Sequence, residues 1–167
     1  LNASGYVVAR REATVSAKVT GKIVAVLIEE GMVVEEGQLL AQLDDQTLRP
    51  QLDLAQTQPE ARRAELAEVA VRRAEAEREQ SRLERLKTES LSSEREVDKA
   101  QSEVAALRAR FAALERAVDV GEATVRVSEQ AIEDLEVRAP FAGVIVSKNA
   151  QPGEMVSPIS AGGGFTR

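Results

Sequence analysis

The chain has 167 residues, 30% of them charged, a formal net charge of −6, and neither cysteine nor histidine. The usual ligands for zinc, haem and iron–sulfur centres are therefore missing, a Ser-His-Asp triad is impossible, and the acidic balance argues against nucleic acid as a partner. Aromatic residues make up only 2% of the chain against 43% hydrophobic, a mixture that suits long solvated helices with a narrow apolar seam.

The first organised stretch is TVSAKVTGKIVAVLIEEGMVVEEGQLLAQLDD, residues 14–45. Apolar and polar residues alternate in short runs punctuated by glycines, which predicts short strands and tight turns across residues 7–45. Gly31 and Gly37, with Gly143 and Gly153 near the chain end, are expected to supply backbone angles that other residues avoid. The longest aliphatic run, Ile23 to Ile28, is far too short to cross a bilayer. The missing cysteines fit a reducing compartment or one where stray thiols are avoided, so they select neither.

Residues 46–135 change character. Val97, Val104, Phe111, Val118, Val125 and Ile132 recur every seven residues. Ala100, Leu107, Leu114, Gly121, Ser128 and Leu135 follow three behind. Alternating steps of three and four place a continuous seam on one helix face. A looser version precedes it, with Leu48, Ala55, Arg62, Val69, Ala76 and Leu83 beside Leu52, Pro59, Leu66, Arg73 and Gln80. Residue numbers paired across the intervening turn total 180, as for Leu48 with Ile132, Val69 with Phe111 and Leu83 with Val97. The expectation is an antiparallel coiled-coil hairpin with arms at about 46–88 and 94–135 and a tip at 88–93, each arm roughly 60 Å long. Ser93 and Glu96 fit a capping box opening the second arm, and Asp44 or Asp45 can cap the first. Pro59 either kinks the first arm, opposite Gly121, or starts a helix after Thr57.

After the hairpin the opening pattern returns. APFAGVIVSKNAQPGEMV, residues 139–156, repeats AKVTGKIVAVLIEEGMVV at an offset of 122. Val15/Val137, Ala17/Ala139, Gly21/Gly143, Ile23/Ile145, Val24/Val146, Gly31/Gly153 and Val34/Val156 are identical pairs. Neither half has enough apolar surface for a core, whereas two similar sheets face to face do. Residues 7–45 and 136–160 therefore read as halves of one β domain with the hairpin inserted between them, and 161–167 reads as a linker.

These half-motifs, A-x-x-x-G-x-I-V with a second glycine ten residues after the first, resemble the split lipoyl (biotinyl-lipoyl-like) domain. A split lipoyl domain interrupted by a coiled-coil hairpin resembles the periplasmic adaptor subunits, or membrane fusion proteins, of tripartite efflux pumps and type I secretion systems. The resemblance covers residues 7–160 and implies an α+β fold, a lipoyl-like β-sandwich or barrel-sandwich hybrid interrupted by the hairpin. It further implies a non-enzymatic periplasmic protein without a cofactor, anchored to the inner membrane in its full-length form. Such a protein would link an ABC or proton-driven inner-membrane transporter to a TolC-like outer-membrane channel and self-associate into a ring, a hexamer in the full assembly. The chain is then an excised core, with a β-barrel domain expected beyond the linker.

Adaptors that dock onto TolC-like channels resemble one another in an Arg–Leu–Ser pattern at the tip, which Arg82, Leu86 and Ser93 match in spacing. Taken singly, Arg82 reads as a solvated charge, Leu86 as a residue flanking the seam and Ser93 as a helix cap. Under the resemblance they become the docking set. The rival readings are a lipoyl- or biotinyl-type carrier and a purely structural coiled coil. The carrier lysine belongs on the turn between the halves, where this chain has Asp44 and Asp45. A structural coiled coil leaves the duplicated halves without explanation.

Overall fold

The computed structural model of the protein describes residues 12–158, so residues 7–11 of the expected first half and everything after 158, linker included, lie outside the described residues. Three strands come first, β1 (Gly21–Val26), β2 (Val33–Val34) and β3 (Leu39–Leu43). Two long helices follow, α1 (Leu48–Thr88) and α2 (Glu94–Glu133), then β4 (Glu136–Arg138), β5 (Gly143–Val144) and β6 (Met155–Val156). The chain divides into two units, one drawn from both ends of the sequence and one of helical residues 50–129.

The β unit is built by exchange between the repeated halves. Its four-stranded sheet runs β4-β3-β1-β6 and its two-stranded sheet pairs β2 with β5, so each sheet takes strands from both halves. The pairings obey the 122-residue offset. Val33 faces Val144 and Val34 faces Gly143, while their counterparts Met155 and Val156 face Lys22 and Gly21. Gly31 N–H donates to the Ile145 carbonyl and Gly153 N–H to the Ile23 carbonyl, both at 2.8 Å. Ile145 N–H donates to Met32 and Ile23 N–H to Glu154, both at 2.9 Å. The two halves thus clasp each other with a local two-fold symmetry that a tandem duplication would produce.

The same symmetry organises the core. Ala17 and Ala139, Ile23 and Ile145, and Val34 and Val156 are buried pairs, joined by Leu40, Ala41 and Leu43 from β3 and by Leu135 and Val137. Fully burying an aliphatic side chain is worth about 1.5–3 kcal/mol, and either half alone would leave its share facing water. Val24 and Val146, identical in the repeat, both point outward.

Gly31 and Gly153 adopt φ of 84° and 93°, and Gly37 adopts 78°. These angles turn the chain so that each N–H meets the other half. Gly143 does not share this role, because the positive-φ glycines are Gly31, Gly37 and Gly153 alone among the described residues. Gly21 is required for space instead: a Cβ there would sit 2.6 Å from Leu43 Cδ2.

In the helical unit, the buried residues of α1 are Ala55, Pro59 and Val69, and those of α2 are Val97, Val104, Leu114 and Val118. All seven belong to the seam read from the heptads. Arg62 occupies a seam position in sequence but turns away from it, bridging to Glu65 at 3.1 Å, since an unpaired guanidinium inside the seam would lose its hydration. Arg73 remains over the Phe111 ring, 4.3 Å from its centroid, a cation–π contact. Ion pairs flank the seam, Arg63–Glu122 and Arg108–Glu77 on one side and Arg110–Glu65 on the other. Exposed pairs of this kind contribute little energy each, but their arrangement matches only one register.

Pro59 lies inside α1 and does not start a helix. Thr57 Oγ1 donates back to the Leu54 carbonyl at 2.8 Å and does not cap the residues after it. The proline ring is buried against Gly121, where a Cβ would come within 3.2 Å of Pro59 Cβ. The arms therefore tolerate the ring because the facing residue has no side chain.

Two stability predictions follow from these contacts. Gly21→Ala should destabilise by about 1–3 kcal/mol, because buried Leu43 has nowhere to move. Gly143→Ala, whose nearest outside atom is a Phe141 ring carbon at 3.8 Å, should stay within about 1 kcal/mol of the parent. Equal thermal-unfolding midpoints for the two variants would contradict this packing. Pro59→Ala should raise helicity and thermal stability, since an interior proline costs on the order of 3 kcal/mol. Gly121→Ala alone should gain little, its propensity advantage of about 1 kcal/mol being offset by the proline contact. Pro59→Ala should be the most stable of the series, because alanine at 59 keeps the Cβ that a side chain at 121 would meet at 3.2 Å; a Pro59→Ala protein that melts no higher than the parent by circular dichroism would contradict this packing.

Candidate functional site: the hairpin tip

The last turn of α1 ends in a Schellman motif. Leu91 N–H donates to the Leu86 carbonyl at 2.8 Å and Ser90 N–H to the Lys87 carbonyl at 3.0 Å, the paired 6→1 and 5→2 bonds that satisfy orphan carbonyls. The motif needs a left-handed residue, and Ser90 supplies it with φ of 61°. Glycine usually fills that place, and a side chain there costs on the order of 1 kcal/mol. Thr88 Oγ1 also donates to the Arg85 carbonyl at 2.6 Å.

The start of α2 is closed by the capping box expected from the sequence. Ser93 N–H donates to Glu96 Oε2 at 2.8 Å, and Glu96 N–H donates to Ser93 Oγ at 3.3 Å. The Ser93 and Ser92 hydroxyls also donate to that carboxylate, at 2.8 and 3.2 Å. The Ser93 amide, followed by these hydroxyls, holds the Glu96 carboxyl below the usual carboxylate range. A lowered carboxylate pKa means the cap is intact at neutral pH and is lost only as acid protonates Glu96 below that range. Lys87 and Glu94 join the two arms across the turn at 3.1 Å.

Arg82, Leu86 and Ser93 all fall within this tip. Arg82 is exposed and its guanidinium is held by Glu79 on the preceding turn. Leu86 lies one turn further along, half-buried, with its carbonyl engaged by Leu91. Ser93 sits across the turn as the cap residue. The heptads and the capping pair made this much legible. They did not foretell the left-handed Ser90 or the exposure of Leu91, since the Ser-rich segment ESLSS carries no glycine to mark the reversal.

The junction between β3 and α1, where a carrier would display its lysine, is a capped helix entry. Asp44 accepts the Gln46 N–H at 3.0 Å, Asp45 binds Arg49, and Asp44 N–H donates to the Lys22 carbonyl at 2.9 Å. Lys18, on the same unit, is paired with Asp134 at 2.9 Å and depresses that carboxyl below its ordinary range. Among the described residues no group of three or more Asp or Glu could hold a metal ion, and no helix is long and apolar enough to cross a membrane.

Residues 11–161 match the family model described as CzcB-like, barrel-sandwich hybrid domain. The chain is 27% identical over 157 residues to the pyoverdine export membrane fusion protein PvdR of Pseudomonas aeruginosa, covering 94% of this chain and 40% of that protein. It is 28% identical over 157 residues to the multidrug resistance protein MdtA of Escherichia coli, covering 94% and 34%. Among solved structures it resembles MacA from Actinobacillus actinomycetemcomitans, with a TM-score of 0.81 at 21% identity over 91% of this chain and 47% of that one. The chain thus spans less than half the length of each of these relatives. With its interlocked half-motifs and its helical hairpin, the chain belongs to the CzcB-like barrel-sandwich hybrid domain family.

Proposed function

We propose that this chain is the hairpin-bearing core of a periplasmic adaptor that connects an inner-membrane transporter to a TolC-like outer-membrane channel. The observation that carries the reading is the tip: both helix ends are capped internally, leaving Arg82 exposed and Leu86 half-exposed beside Ser93. A tip whose backbone groups are already satisfied can meet a partner without unfolding, through one charged, one apolar and one hydroxyl side chain. Membership of a family whose relatives include a membrane fusion protein and a multidrug resistance protein supports an adaptor role. In the full-length protein the inner membrane provides the anchor, and several copies, six in the complete assembly, stand side by side as a ring.

The docking role is tested at Leu86 in the full-length protein. Leu86→Asp should abolish export while leaving helicity unchanged, because both backbone bonds of the Schellman turn survive and only the apolar contact is lost. An unpaired carboxylate would have to be desolvated at the contact, at a cost of several kcal/mol. Arg82→Asp should also impair export by reversing the tip charge. Ser93→Ala removes the cap as well, for about 1 kcal/mol, and so serves only as a stability reference. Export by the Leu86→Asp protein at the parental level, with normal circular dichroism, would refute docking. The ring is tested separately by crosslinking the full-length protein together with its transporter; species that never exceed a dimer would exclude it.

A further inference from the structure

Leu91 is the one large apolar side chain in the turn between the helices, and it is 71% exposed. Around it stand Glu89, Ser90, Ser92, Ser93 and Glu94, all polar. The turn does not need a leucine for its hydrogen bonds, which are made by the Leu91 and Ser90 backbone amides. An apolar residue at this place in a Schellman motif often packs back on the helix, here toward Leu86. With 71% of its surface still in water, Leu91 leaves most of its apolar area unused in that way.

A second observation concerns how it is held. Ser90 is the only non-glycine residue with positive φ among the described residues. A strained residue persists where the surrounding structure fixes it, and such residues cluster at binding sites. The strain at Ser90 reverses the chain immediately before Leu91, and the capping box at Ser93 fixes the chain two residues after it. Leu91 is therefore presented from a backbone pinned on both sides, so that little freedom is lost when it is covered.

We propose that Leu91 is a further docking residue, an apolar knob that enters an apolar pocket on the outer-membrane channel, and that Ser90 is its positioning residue. The inference rests on the docking reading of the tip and adds to it a residue outside the Arg82, Leu86 and Ser93 set. The pocket it fits is apolar at its centre, with a polar rim to meet the Ser92 hydroxyl and the Lys87–Glu94 pair.

The test uses the full-length protein in cells that contain its own transporter and channel. A photo-crosslinking amino acid replaces Leu91, Leu86 or, as a control, Val71, which is similarly exposed at 67% but lies along α1 away from the tip. Light should join position 91 to the channel, identified by mass spectrometry, and should not do so from position 71. Leu91→Asp should lower export about tenfold or more with unchanged helicity, and Leu91→Met should retain it. Ser90→Gly, which holds the same backbone without strain, should also retain export. Channel adducts from position 86 with none from position 91 would overturn this inference and leave tip docking standing. Adducts from neither position would overturn both, and loss of export in Ser90→Gly would reject the positioning role.

Discussion

Everything in the β unit depends on the reciprocal exchange in which Gly31 binds Ile145 and Gly153 binds Ile23. Each half-motif supplies a donor that only the other half can accept, and buries an isoleucine that only the other half can cover. The consequence is that neither half is complete alone, because Ile23 and Ile145 would each lose the apolar cover that the other half provides. The hairpin is compatible with that exchange because its arms match, with 41 residues in α1 and 40 in α2. The chain leaves β3 and re-enters at β4 beside it, where Leu43 N–H donates to the Leu135 carbonyl at 3.0 Å. An unequal pair of arms would return the second half away from the first.

The duplication, the heptads and the capping box were all legible in the residues, since each is a pattern of spacing that elementary geometry converts into contacts. Periodicity found the seam, and every buried helical residue lies on it. What spacing could not show was how the two halves interleave. The offset of 122 identifies equivalent residues, but placing strands of both halves in each sheet is a property of pairing across the domain. Gly143 illustrates the limit. It is identical in the repeat to Gly21 and sits at the same place in the motif, yet its surroundings are open where those of Gly21 are filled by Leu43.

The tip was legible in part. Ser93 and Glu96 announce themselves by residue type and by a three-residue interval, and the structure makes both of their bonds. The other cap hides, because Ser90 does the work of a glycine. Propensity rules weigh a residue by what it prefers, so they pass over a residue held against its preference by its neighbours. Pro59 is a similar case on the opposite logic. A residue that ordinarily ends helices is carried within one because Gly121 makes room for its ring.

The interleaved halves also set the order in which the protein can fold. Ile23 and Gly153 are 130 positions apart in the chain, and their bond cannot form until nearly the whole chain is available. Contacts of such long range are slow to form, whereas the helical hairpin forms from local contacts on far shorter timescales. Once the hairpin has formed, it spans most of that separation with ordered chain and leaves segments 24–47 and 134–152 to close. The long insertion thus acts kinetically as a splint. It shortens the chain that must close from 130 positions to those two segments, which lowers the entropic cost of bringing the halves together.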